Sequence, residues 1–318
     1  MTVQRIFLVG AGVLFGLPAI ALAIVVVWIG LLDRASGTIT VHGEKREYLL
    51  HVPARYDAAR PTPLVISLHA GATWPAHQMN LSHWNRLADD EGFLVVYPSG
   101  TDQIFGLVRV WRTTPEQVMD DVEFVSKLID TLSASYNVDA TRIYANGMSN
   151  GGGMTFALSC RLSARLAAVG MVAAAQQLPM TWCDDPRPMP LIAFHGDADT
   201  IVPYHGGPLG DPFNPVKPVY PAVRDWTTAW AARNGCGDEQ VETTIATDVH
   251  RVEYRDCPDG APVVLYTLLG GGHSWPGGKP MPEWRVGTTN ATIDATDAMW
   301  TFFRQHRLSV SIQETPLE

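Results

Sequence analysis

"YANGMSNGGGM", residues 144–154, sets a serine within Gly147-Met148-Ser149-Asn150-Gly151. The pattern G-x-S-x-G is short and recurs by chance, so its surroundings decide what it means. Before it, "RIYANG" reads as a strand; after it, "GGMTFALSCRLSA" reads as a helix. A serine on so tight a strand-to-helix turn has a strained backbone, and glycines two positions to either side let the turn close. Ser149 is therefore a candidate nucleophile.

Working outward, apolar β-branched runs alternate with amphipathic stretches. "TITVHGEKREYLLHVP" reads as two strands turning at His42-Gly43. "PLVISLHA" (63–70) and "FLVVYPSG" (93–100) are the continuous apolar runs expected of strands buried on both faces. Val118, Val122, Val125, Leu128, Ile129 and Leu132 fall at helical spacing. "AAVGMVAAA", "PLIAFHG" and "VVLYTLLG" are further strands, and "PAVRDWTTAWAARNG" and "IDATDAMWTFFRQH" further helices. The order predicts an α/β fold with a mostly parallel sheet and helices on both faces. Such sheets bind ligands beyond the carboxyl ends of their strands.

That placement supplies partners for Ser149. A serine hydroxyl needs a base to take its proton and a carboxylate to orient that base. Asp197 and Asp199 follow the strand in "FHGDADTIVPY", and His273 follows the next in "LGGGHSWPGG". The chain order Ser, Asp, His is that of α/β-hydrolases. Either aspartate could be the acid, Asp197 the alternative to Asp199.

With these motifs the chain resembles the α/β-hydrolase esterases grouped as polyhydroxybutyrate depolymerases and feruloyl or acetylxylan esterases (carbohydrate esterase family 1). The resemblance runs from about Tyr48 to Phe303, through "LHAG", "YPSG", "DDVEFVSKLID", "VDATRIYANGMSNGGGM", "FHGDADTIVPYHGG", "WAARNGC" and "GGGHSWPGG". It implies the α/β-hydrolase fold, a Ser149-Asp199-His273 triad, ester hydrolysis through an acyl-enzyme, and no metal or organic cofactor. It also implies an oxyanion hole with one amide from Asn150. The second falls to Ala70, Gly71 or Ala72, because His69-Ala70-Gly71 stands where the family often has His-Gly. His69 and His195 end strands and are read as structural, with His69, Tyr204 and Trp275 also candidates for substrate contact. Trp275 has a second reading, packed beneath the His273 loop. The Gly- and Pro-rich segment 204–221 is a rim or lid, or a plain surface loop.

Other features bound the function. Across 318 residues the net charge is −9, with no Lys/Arg cluster, which argues against a nucleic-acid partner. Asp120 and Asp121 read as the acidic first turn of a helix. His77 and His83 have no metal-ligand partners at useful spacing. From Ile6 to Leu32, 27 residues carry no charge, enough for a transmembrane helix; a cleaved signal peptide is the alternative. Four cysteines, Cys160, Cys183, Cys236 and Cys257, suggest two disulfides outside the cytoplasm, with neighbours in sequence the simplest of three connectivities. The expected organisation is an anchor and linker over 1–36, a catalytic domain over 37–310 and a tail over 311–318. The partners expected are an ester substrate and the membrane through residues 6–32. Rival functions are an acyltransferase or peptidase on this scaffold, and an inactive hydrolase fold serving as a tethered binding module.

Overall fold

The computed structural model describes residues 34–102, 109–184, 187–211 and 216–309. The expected anchor over 6–32 and the tail 311–318 lie outside the described residues. Among the described residues no helix is long and apolar enough to cross a membrane.

The first half of the chain runs β1 (Gly37–Val41), β2 (Glu44–His51), β3 (Thr62–Leu68), α1 (Pro75–Ser82), α2 (Trp84–Glu91), β4 (Leu94–Pro98), β5 (Thr101–Asp102), β6 (Arg109–Val110), α3 (Val118–Ser135) and β7 (Val138–Met148). There follow α4 (Asn150–Arg161), β8 (Ala168–Val172), β9 (Leu191–Gly196), β10 (Gly207–Pro208), β11 (Val219–Tyr220), α5 (Val223–Arg233), β12 (Gln240–Ala246), β13 (Val249–Tyr254), β14 (Val263–Leu268), α6 (Glu283–Val286) and α7 (Ala295–Phe303).

Ten strands form one sheet in the order β1-β2-β4-β3-β7-β8-β9-β14-β13-β12. The six from β4 to β14 are parallel. Antiparallel strands flank them, β1 and β2 on one side and β13 and β12 on the other. The turn between β1 and β2 falls at His42 and Gly43, both with positive φ, as expected of a two-residue hairpin loop.

The continuous apolar runs are explained by cover on both faces. Alternate residues of β3 feed two cores: Leu64, Ile66 and Leu68 join one, and Val65 the other. On the first face lie the predicted stripe of α3, with Phe156 of α4 and Trp226 and Trp230 of α5. On the second lie Trp84 of α2 and Met299, Trp300 and Phe303 of α7. Two disulfides join sequence neighbours, Cys160 to Cys183 and Cys236 to Cys257. Asp120 and Asp121 do stand in the first turn of α3. Asp121, however, is fully buried and its Oδ1 accepts from Arg46 at 2.6 Å.

The sheet order sets the candidate site. β7, β8, β9 and β14 are consecutive neighbours, so the loops bearing Ser149, Asp199 and His273 leave the same edge from within four adjacent strands.

Candidate active site

Ser149 stands between β7 and α4 with φ 54° and ψ −119°, a conformation that L residues rarely adopt. The flanking glycines are required by close approach of backbone. A Cβ on Gly147 would lie 2.3 Å from Gly151 O, and one on Gly151 would lie 2.5 Å from His69 O and 2.6 Å from Leu68 O. Two backbone bonds secure the turn: Ser149 N donates to Val172 O at 2.9 Å, and Ala175 N donates to Ser149 O at 3.0 Å. The side chain is thereby presented at the start of α4, beside free helix amides.

Beyond β9, Asp199 is buried and fully engaged. Its Oδ1 accepts from the amides of Ile201 at 2.8 Å and Val202 at 2.9 Å. Its Oδ2 accepts from His273 Nδ1 at 2.7 Å. Burial alone would raise its pKa. Electrostatic attraction to the His273 imidazole and hydrogen bonds from His195 and His273 outweigh that, holding the carboxyl well below the usual range. With Nδ1 committed to the carboxylate, Nε2 of neutral His273 carries the lone pair. The His273 backbone is anchored too, its amide donating to Val286 O at 2.6 Å. Asp197, the alternative acid, points elsewhere: its Oδ1 accepts from Gly270 N at 2.6 Å, tying the β9 loop to the β14 loop.

Of the candidate oxyanion donors, Ala72 is otherwise engaged, because its amide donates to Arg109 O at 2.9 Å. Ala70 and Gly71 stay as candidates. Gly71 approaches the elbow, since a Cβ there would lie 3.3 Å from Asn150 Cβ.

Three candidates for substrate contact are buried and hydrogen-bonded within the fold. His69 is fully buried, its Nδ1 donating to Ala70 O at 2.8 Å and its Nε2 accepting from Gly100 N at 2.9 Å. Burial pushes its pKa down to about 3. Trp275 is fully buried, with Nε1 donating to Thr296 Oγ1 at 3.0 Å. Tyr204 is 8% exposed and its hydroxyl bonds Thr267 Oγ1 at 2.8 Å. The segment 204–221 forms the short β10–β11 ladder, and Gly210 N donates to Ile201 O at 2.8 Å, two residues past Asp199. It borders the site; its residues 212–215 lie outside the described part.

Sequence reasoning missed a strap over the elbow. Trp111, Arg112 and Thr113 follow β6, and Trp111 exchanges two hydrogen bonds with the Asn150 side chain while its Nε1 donates to His69 O at 3.0 Å. Thr113 Oγ1 donates to Gln177 Oε1 at 2.8 Å. Just past Ala175 a largely apolar cleft of about 400 Å³ opens, lined by Gln177, Leu178, Met180, Pro221 and Trp226 among others. Among the described residues no cluster of His, Cys, Asp and Glu could hold a metal ion.

Residues 46–176 match the family model described as esterase PHB depolymerase. The match takes in the 70–72 loop, the strap and the Ser149 elbow, and ends before Asp199 and His273. Feruloyl esterase B of Piromyces equi is 29% identical over 238 residues, 74% of this chain and 44% of that protein. The bifunctional acetylxylan esterase/xylanase XynS20E of Neocallimastix patriciarum is 32% identical over 169 residues, 52% of this chain and 24% of that protein. The chain thus spans less than half the length of these two relatives. The solved acetyl xylan esterase from Aspergillus awamori aligns with a TM-score of 0.56, covering 81% of this chain and 94% of that one. At 15% identity this is a likeness of fold, and it agrees with the α/β-hydrolase architecture.

Proposed function

We propose that this protein is a serine carboxylic-ester hydrolase whose catalytic domain spans 37–310 and whose triad is Ser149, His273 and Asp199. The observation that carries the reading is the 2.7 Å contact between His273 Nδ1 and the buried Asp199 carboxylate, beyond strands neighbouring the strained Ser149 elbow. His273 Nε2 takes the Ser149 proton as Oγ attacks the ester carbonyl, and Asp199 stabilises the imidazolium. The tetrahedral oxyanion faces the Asn150 amide and one from Ala70 or Gly71; losing one such donor typically costs about 2.7–4 kcal/mol. Collapse expels the alcohol, protonated by His273, and leaves an acyl-enzyme that water hydrolyses. No step calls for a cofactor.

The names of the relatives support feruloyl or acetyl esters as substrates, with hydroxyalkanoate esters on the strength of the family model. Both disulfides suit an oxidising compartment outside the cytoplasm. Attachment to a membrane through 6–32 rests on the uncharged run alone.

The test sets wild type beside Ser149→Ala, with a fluorophosphonate probe and p-nitrophenyl acetate. Labelling and turnover that disappear in the variant support the triad. A folded wild type that neither labels nor turns over refutes it and favours the binding-module reading.

A further inference from the structure

Two histidines converge on Asp199, and the mechanism above uses one. His195, near the end of β9, is buried; its Nε2 lies 2.9 Å from Val202 O and 3.3 Å from Asp199 Oδ2. A carbonyl oxygen only accepts, so Nε2 is the nitrogen that carries hydrogen. The opposite nitrogen, Nδ1, is buried with no hydrogen-bond partner. Burying an unpaired acceptor is unfavourable, and an apolar side chain of similar size would fill the space without it. Packing alone therefore does not account for a histidine at this position; what its Nε2 does must.

The Val202 peptide links the pieces. Its amide donates to Asp199 Oδ1 at 2.9 Å and its carbonyl accepts from His195, whose Nε2 also meets Asp199 Oδ2. These three contacts close a ring around the carboxylate. Tyr204 packs edge-on against the His195 ring, with centroids 6.0 Å apart. Without His195, Oδ1 would keep its two backbone amides, but Oδ2 would be held only by the imidazole that it must orient.

We propose that His195 is a positioning residue, sharing its Nε2–H between the Val202 carbonyl and Asp199 Oδ2 and so fixing the plane of the carboxylate that aims His273 at Ser149. The inference rests on the triad reading. A tilted His273 slows proton transfer without touching bound substrate, so the effect falls on kcat and not on KM.

Three substitutions in the full chain separate this role from plain packing. In His195→Gln the amide nitrogen reaches the place of Nε2. His195→Met fills the volume and donates nothing. His195→Asn keeps an amide that stops short. Kinetics on p-nitrophenyl acetate are read beside the low-field proton resonance of the His273–Asp199 hydrogen bond. Met and Asn should lower kcat on the order of tenfold to a hundredfold at unchanged KM, and move or broaden that resonance. Gln should restore most of both. A folded Met variant with wild-type kcat overturns the proposal, as does a Gln variant no better than Met. If Met does not fold, Asn against Gln decides in the same way. A wild type that takes no fluorophosphonate label sinks the triad reading and this inference with it; normal labelling with a fully active Met variant sinks the inference alone.

Discussion

Asn150 grips the backbone of Trp111 with both ends of its carboxamide: Oδ1 accepts from Trp111 N at 2.7 Å and Nδ2 donates to Trp111 O at 3.1 Å. The residue after the candidate nucleophile, whose amide is the proposed oxyanion donor, thus uses its side chain to hold a strap 39 positions earlier in the chain. Asn150→Ala keeps the amide and frees the strap. Each lost hydrogen bond is worth about 0.5–1.5 kcal/mol, so urea unfolding should report a loss of roughly 1–3 kcal/mol. Turnover of p-nitrophenyl acetate should fall on the order of tenfold if the strap holds the elbow in place. Wild-type turnover in a destabilised variant would show that the strap is only structural.

The elbow glycines give a sharper test. A Cβ on Gly151 would meet two carbonyl oxygens of the β3 end, which are backbone and cannot rotate away. Gly151→Ala should separate α4 from the 70–72 loop, abolish fluorophosphonate labelling, and cost several kcal/mol in urea unfolding. Full labelling would mean that the elbow tolerates a wider turn than the contacts imply.

The central strands and the site were legible where burial leaves a mark. β3, β4, β8, β9 and β14 are covered on both faces and read as apolar runs; Asp199 and His273 are candidates because each follows such a run, and Ser149 because G-x-S-x-G closes β7. The family resemblance drawn from those motifs agrees with the match over 46–176. The β12–β13 hairpin left no such mark. It lies at the sheet edge, where Glu242, Thr243 and Thr244 are exposed, and half-exposed strands carry no apolar run. α1 and α2 were equally silent, as two eight-residue helices too short for a clear periodicity. The strap was hidden because its role depends on side chains from α4 and the β8 loop, which sequence spacing cannot pair. His69, Trp275 and Tyr204 stand near strand ends but point inward, a difference that position in the sequence does not carry.

Stability should fall on acidification, starting well above the carboxylate range. Buried His69 is pushed down to about 3 and holds its neutral form, since Nε2 must accept from Gly100 N. In the unfolded chain a histidine titrates near ~6.5. Between those values the unfolded state binds a proton that the native state does not, so stability is full above the upper value and falls with pH at up to about 1.4 kcal/mol per unit. Asp199, held low, adds a loss of the same sign below about pH 4, where the unfolded carboxylate protonates and the native one resists. Urea unfolding at pH 7.5, 5.5 and 4.5 should show this slope, and His69→Gln should reduce it, leaving the part owed to His306 and His77, whose pKa values burial also lowers. A wild type equally stable from pH 7.5 to 5 would contradict the assignment.

The Arg46–Asp121 pair fastens the strap from the opposite side. Both side chains are buried, with Arg46 Nη2 donating to Ser99 O at 3.0 Å and its guanidinium stacked 4.3 Å over Phe124. Asp121 spends its second oxygen on the Arg112 amide at 2.7 Å, one residue past Trp111. Burial raises the Asp121 pKa, while Arg46 and the Arg112 amide pull it down, so the carboxylate depends on its partners to stay charged. Arg46→Met removes the main partner and should cost about 3–5 kcal/mol in urea unfolding, with a further loss of turnover as the strap shifts. Replacing both residues, Arg46→Met with Asp121→Leu, removes the stranded charge and should recover much of that stability. Turnover should stay low in the double variant, because the Arg112 amide has still lost its acceptor. Recovery of stability and turnover together would show that the pair serves packing alone.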